Sequence, residues 1–353
     1  MFEIITLDNS DYWDEIVTSF AQYDIYYLSG YSKGFYIHGD GIPLLFYYHD
    51  DDIRGICVMM KRDISQNEYF KNKFKPNTLF DIVTPYGYGG FIFEGKLDAE
   101  SLRKFEGIYR DKLKDENIVS VFYRYHPQLQ NANQIRSITN VIDLGKTIEM
   151  DLHSEEVIWN NIIPKNRTAI RKAIKKGVTI KHGKDFSLFD KFMEIYNGTM
   201  DHDQAEDYYY FGMDFYKSIH TDLYDNYEMF YAEFDNQIIA MSIILFADNR
   251  IHYHLSGAKY EFRPLAPTNL LLYEAARWGC EQGFESFHLG GGLGSGEDGL
   301  YKFKQAFNRK SGIQFSIGKQ IILPEIYDQL VEIRKEKDVD FNSKSSFFPL
   351  YRA

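Results

Sequence analysis

Residues Arg250–Gly292 read RIHYHLSGAKYEFRPLAPTNLLLYEAARWGCEQGFESFHLGGG. The run Arg250–Ser256 predicts a strand. Pro267 then opens a stretch in which Leu271, Ala275, Trp278 and Gly279 recur at helical spacing, so a helix is expected over Pro267–Gln282. A second strand, Phe284–Leu289, enters a glycine-rich loop. Working outward, Tyr227–Phe234 and Gln237–Ala247 flank Asp235–Asn236 as a hairpin. The order is hairpin, strand, helix, strand, an α/β unit.

The same order stands in the first third of the chain. Ile42–Ile64 reads IPLLFYYHDDDIRGICVMMKRDI, two apolar runs about the turn Asp50–Asp52. The stretch LFDIVTPYGYGGFIF follows as a strand running into a loop at Thr84–Gly90, then a helical pattern over Ala99–Lys114 and a strand over Ile118–Tyr125, stopped by Pro127. The copies share element order with little residue identity, so the expectation is an α/β (α+β) chain of two similar domains, 1–145 and 146–353, with mixed central sheets flanked by helices. A first helix is expected around Asp11–Gln22. The second domain should also hold helices at Ser187–Met200 and Gly212–Asp222, and a terminal helix at Pro324–Lys337. Ser154 with Glu155 and Glu156 marks a helix start, and Pro164 and Gly177 bracket another over 164–176.

Composition supports a large core. Of 353 residues, 44% are hydrophobic, with 28 Tyr and 28 Phe. Apolar runs such as Ile238–Phe246 fall far short of the roughly 20 residues of a membrane helix. The amino terminus is acidic and lacks the basic-then-apolar order of a secretory signal, and Cys57 and Cys280 form no CxxC pair, so a reducing cytoplasm is expected. The net charge of −11 disfavours unspecific polyanion binding. Against it, Ile162–Lys184 carries Lys165, Arg167, Arg171, Lys172, Lys175, Lys176, Lys181 and Lys184 without one acid. In the helix, Ile163, Ile170 and Ile174 form the apolar stripe. Arg171 and Lys175, one turn apart, are the best-placed pair for a phosphate-rich substrate.

Six glycines crowd Gly290–Gly299, among them Gly290, Gly291 and Gly292 directly after the strand. They permit close backbone approach to a ligand. The loop fits neither a P-loop nor a dinucleotide fingerprint. Lys302 and Lys304 follow on what should be opposite faces of a helix beginning near Gly299. His252 and His254 share a strand face, and Asp201-His202-Asp203 is a further cluster, but no third ligand stands at a recognisable spacing, so no metal is expected. There is no GxSxG, CxxC or HExxH, which removes nucleophilic triads and zinc hydrolysis.

Four stretches together resemble the FemABX family, the aminoacyl-tRNA-dependent transferases that build peptidoglycan cross-bridges. They are PKNRTAIRKAIKKGV from Pro164, YNGTM at Tyr196–Met200, the run from His252 to Gly292, and LYKFKQAF at Leu300–Phe307. The resemblance implies two GNAT-like domains in tandem and an amine of a cell-envelope precursor attacking an activated acyl ester. It places Phe303 and Lys304 at the acyl-transfer site and Lys33, in GYSKGF, near a precursor diphosphate. It implies tRNA and that precursor as substrates, no permanently bound cofactor, and peripheral contact where the precursor is lipid-linked. The stretch Lys176–Tyr227 is too short and irregular for the coiled-coil arm of some members. Two departures leave the precursor open: Arg124-Tyr125-His126-Pro127 stands where a member has Arg-x-Asp-Pro, and Tyr208–Phe211 lacks an expected arginine.

Two other readings stand beside this one. An acyl-CoA-dependent GNAT enzyme acting on an amino sugar would need amides to cradle a pyrophosphate before the helix, yet Ala258–Pro267 has no glycine after Gly257. The glycine-rich loop at Tyr86 and Tyr88 offers rings that could stack on a sugar or base. A non-catalytic binding module is the third reading. With no activated Cys or Ser, attack on the ester is expected to be direct, with the substrate itself, or a Glu or His base such as His254, taking the proton.

Overall fold

A computed structural model describes all 353 residues. In chain order the elements are β1 (Phe2–Ile5), α1 (Ser10–Thr18), α2 (Ser29–His38), β2 (Ile42–His49), β3 (Ile53–Asp63), β4 (Phe80–Val83), β5 (Ile92–Gly95), α3 (Ala99–Asp115), β6 (Ile118–Arg124), α4 (Ala132–Ile135) and β7 (Val141–Asp151). There follow α5 (Glu155–Asn161), α6 (Pro164–Lys175), β8 (Thr179–Gly183), α7 (Leu188–Asp203), α8 (Met213–Asp222), β9 (Tyr227–Phe234), β10 (Gln237–Ala247), β11 (Arg250–Ala258), α9 (Pro267–Glu281), β12 (Ser286–Gly290), α10 (Gly299–Gln305), β13 (Ile313–Ile321) and α11 (Pro324–Lys337).

Two compact units result, one of Met1–Leu144 with Phe315–Ala353, the other of Gly145–Gln314. The terminal helix α11, expected in the second domain, therefore packs in the first. Its Tyr327, Leu330 and Val331 are buried with Ile64, Phe70 and Val119.

In the first unit the strands run β1-β2-β3-β4-β6-β13, with β5 also on β3. In the second they run β7-β12-β11-β10-β9-β8. The repeat read from the sequence is real in the backbone. In each copy a hairpin leads to a strand whose parallel neighbour comes after one helix, β4 with β6 and β11 with β12. It also extends further than expected, because β1 and β8 each pair antiparallel with the first hairpin strand. Each is followed by two helices. The sequence reading missed α2 because its segment SGYSKGFYIH holds two glycines and two serines, poor helix formers; burial of Tyr31 and Phe35 holds it instead.

Local chemistry explains the boundaries. The β9–β10 turn has Asp235 and Asn236 both at positive φ, 50° and 57°, as a two-residue hairpin of this twist requires. Helix α6 starts with Pro164 and ends in a Schellman pattern, Gly177 at φ 91° and Val178 N–H donating to Ala173 O at 3.1 Å. Its buried stripe is Asn166, Ile170 and Ala173, whereas Ile174 is exposed, which corrects the expected Ile163/Ile170/Ile174 face. A Cβ on Gly257 of β11 would lie 2.7 Å from the Tyr196 Cα of α7, so only glycine lets that helix cross the strand. Thr199 Oγ1 fixes the crossing by accepting from Ala258 N at 3.0 Å. The YNGTM stretch and the HYHLSG strand are thus physical neighbours.

Candidate active site

In the second unit β11 and β12 pair in parallel over three residues, ending at His252 opposite His288. Beyond that pair β11 continues to Ala258, while β12 turns at Gly290, φ 79°, into the glycine loop. His252 and His288 are buried with ring centroids 5.7 Å apart. His254 lies one pleat further on. Desolvation, with His252 adding to it, lowers its pKa to about 3. Its imidazole is therefore neutral at physiological pH and a poor match for a general base.

The loop is tied to the helix after it. Asp298 caps α10, its Oδ1 accepting from Tyr301 N at 2.8 Å and its Oδ2 from Leu293 N at 3.3 Å. These backbone bonds hold the Asp298 carboxyl below the usual range. A Cβ on Gly292 would collide with the Asp298 carboxylate and the Gly296 carbonyl. Lys304 is 8% exposed and donates from Nζ to Gly291 O at 2.7 Å, while Lys302 is exposed, the division of faces expected. Desolvation brings the Lys304 ammonium down to about 8, opposed by the charge of Asp298. Phe303 packs against the core, edge-on to Phe307 at 5.5 Å. Lys304, Gly291 and the Asp298 cap thus form one built cluster, and Asp298 is a member the sequence reading passed over although an Asp before a helical run is a legible cap.

On α6 the cations are ordered by an aromatic ring. The Arg167 and Arg171 guanidinium groups lie 5.9 and 4.9 Å from the Trp159 ring of α5, and Tyr273 of α9 packs on the same ring at 5.1 Å. Lys175 is exposed one turn on. Trp159 was not foreseen, since nothing in its spacing distinguishes it from core. Behind this face Asn269 of α9 donates to Asn166 Oδ1 at 2.6 Å, and Lys172 Nζ donates to Pro264 O at 3.0 Å. The segment before α9, Tyr260–Leu265, is a 3₁₀ turn, and Ala266 stands at φ 53°.

The remaining expected residues belong to the first unit. Lys33 is exposed on α2. Tyr86 and Tyr88 are half-buried packing residues: Tyr86 stacks on Phe35 at 5.4 Å and Tyr88 meets Tyr26 edge-on at 5.5 Å. Burial raises the Tyr88 phenol pKa well above its usual range. Arg124 donates to Thr84 O at 3.1 Å and lies over the Phe122 ring. His126, at the family aspartate's position, is fully buried against Asp24 at 3.2 Å. In the Tyr-rich run of the second unit, Phe211 is buried and stacks on Phe215 at 4.4 Å, while Tyr208 is exposed.

Residues 164–305 match the family model for an acetyltransferase (GNAT) domain. No curated protein matches the sequence. Among solved structures, a crystal structure of FemX has a TM-score of 0.67 at 13% identity, covering 93% of this chain and 99% of that one. The C-terminal domain of a putative lysylphosphatidylglycerol synthetase from Agrobacterium fabrum has a TM-score of 0.56 at 12% identity, with 92% and 96% covered. A tandem GNAT protein from the clavulanic acid biosynthesis pathway has a TM-score of 0.50 at 6% identity, with 91% and 98% covered. At these identities the likeness is one of fold. The mixed sheets, the doubled unit and these likenesses agree: the chain has a FemABX-like tandem GNAT fold, and its residues 164–305 match a GNAT domain model.

Proposed function

We propose that the chain is an acyltransferase that moves an aminoacyl group from aminoacyl-tRNA to an amine of a cell-envelope precursor. The observation that carries the reading is Lys304, a desolvated ammonium fixed on the Gly291 carbonyl where the parallel strands part. A cation held rigidly in a low-dielectric setting stabilises negative charge that appears only as the acyl carbonyl becomes tetrahedral. The acceptor amine attacks the ester carbon, the ribose oxygen leaves, and the proton lost by the amine passes to that oxygen through the substrates themselves. His254, neutral and weakly basic, takes no proton in this scheme.

The donor is read from α6. Arg167 and Arg171 lie against Trp159, and Lys165, Lys175 and Lys176 are exposed beside them, a run of cations that suits a nucleic-acid backbone. Acetyl-CoA is the second reading, favoured by the GNAT domain match at 164–305. The segment before α9 argues against it: Pro264 and Pro267 lack the amide protons a pyrophosphate cradle needs, and the Ala266 amide is spent on Arg263 O.

The test is a titration of the purified chain against uncharged tRNA and acetyl-CoA at two salt concentrations. Salt-sensitive tRNA binding is expected, with the log–log salt slope reduced by about 2 in the Arg171→Glu/Lys175→Glu variant. Acetyl-CoA binding without tRNA binding would move the donor to coenzyme A.

A further inference from the structure

The first unit carries a cationic groove that shares only Arg124 with the site residues expected from the sequence and none with Lys304, α6 or the glycine loop. Its floor is a set of cross-strand neighbours on one sheet face: Phe122 of β6 stands opposite Val83 of β4 and Lys319 of β13, and Arg124 opposite Ile317. Arg62 of β3 closes one side, and the carboxy-terminal segment Ser346–Phe348 forms the far wall. The cavity is about 260 Å³.

Its charge is one-sided. Arg62, Arg124 and Lys319 line it with no carboxylate among the lining residues. The neighbouring acid, Asp81, is fully buried and offsets part of the charge of Arg62 and Arg352, whose Nε atoms hold its two oxygens at 2.6 Å, and the groove stays net positive. Lys319 Nζ spends one donor on Ser346 O at 2.7 Å, and an ammonium has three. In a chain of net charge −11 this is a local reversal of sign. The other half of the groove is aromatic. Phe122 and Phe348 have centroids 6.2 Å apart, Lys319 Nζ lies 5.7 Å from the Phe348 ring, and Phe347 is 55% exposed.

We propose that this groove binds a small aromatic monophosphate, the phosphate on Arg62, Arg124 and Lys319 and the ring against Phe347 and Phe348. Guanidinium forks and an ammonium suit a tetrahedral dianion, and offset rings suit a flat group beside it. Ligand cavities usually start at about 300 Å³, so the size favours one phosphorylated ring over a dinucleotide or a coenzyme. A nucleoside monophosphate and a simpler phosphorylated ring share this chemistry, and the probes separate them.

Calorimetric titration of the whole chain with phenyl phosphate, uridine 5′-monophosphate and inorganic phosphate tests the proposal. Phenyl phosphate should bind at least about tenfold tighter than inorganic phosphate; a nucleotide tighter still marks a nucleotide site, and a weaker one a smaller ring, either supporting the groove. Lys319→Glu should weaken all three probes about tenfold or more. Phe347→Ala, at an exposed position that leaves folding intact, should weaken only the ring-bearing probes. No saturable binding by the unaltered chain, equal affinity for phenyl and inorganic phosphate, or affinities unchanged in both variants would overturn it.

Discussion

In the proposed mechanism Lys304 supplies the charge stabilisation, and its behaviour with pH follows from burial. With its pKa brought to about 8, the ammonium is intact at neutral pH and is lost as pH rises through that value. If it stabilises the transition state, kcat should be flat near neutrality and fall about tenfold per pH unit above 8, measured as a pH–rate profile under saturating substrate. Lys304→Met should lower kcat by about 10²–10³-fold while KM changes little. Asp298 acts on the same group at one remove. Its charge raises the Lys304 pKa, so Asp298→Asn, which keeps an oxygen for the Tyr301 amide, should move the alkaline limb to lower pH. An unmoved limb would make Asp298 a cap and nothing more. Lys304 was legible through the family resemblance of its Phe-Lys pair; helical spacing alone placed only Lys302 and Lys304 on different faces. Its burial was not, since that depends on tertiary packing.

Elements were legible where local chemistry and tertiary packing agree. The hairpins, α3, α6 and α9 carry their own turn residues, caps and periodicity, and the structure keeps them within a few residues. Elements held mainly by burial escaped: α2 is glycine-rich, and β8 and β13 have mixed polar faces. On α6 the pattern gave the helix and the wrong stripe, because buried Asn166 replaces an expected apolar contact by bonding Asn269. The glycine loop invites a test at this scale. Gly292→Ala forces a methyl into the Asp298 carboxylate and the Gly296 carbonyl. It should destabilise the second unit by about 1–3 kcal/mol in chemical denaturation and disturb the Gly291 carbonyl that holds Lys304.

At the scale of the whole molecule, the doubled element order could be read because each copy repeats hairpin, strand, helix, strand. The return of Phe315–Ala353 to the first unit could not, because strand pairing across nearly 200 residues leaves no local trace. That return has an energetic anchor in Asp81. Burial pushes its carboxyl up, but the charges of Arg62 and Arg352 outweigh this and hold it below the usual range. A lowered folded-state pKa gives stability that is present above the unfolded value of about 4 and lost as pH falls through the folded one. Asp81→Asn, which leaves two guanidinium groups uncompensated, should therefore cost about 3 kcal/mol in urea unfolding at pH 7 and progressively less as pH falls below about 4. The central claim is met most directly by a single-turnover assay in which the unaltered chain and Lys304→Met receive labelled aminoacyl-tRNA or labelled acetyl-CoA with an amine-bearing envelope precursor. The account predicts transfer from aminoacyl-tRNA by the unaltered chain and a rate at least about a hundredfold lower in the variant. Transfer from acetyl-CoA alone, or equal rates in the two proteins, would contradict it.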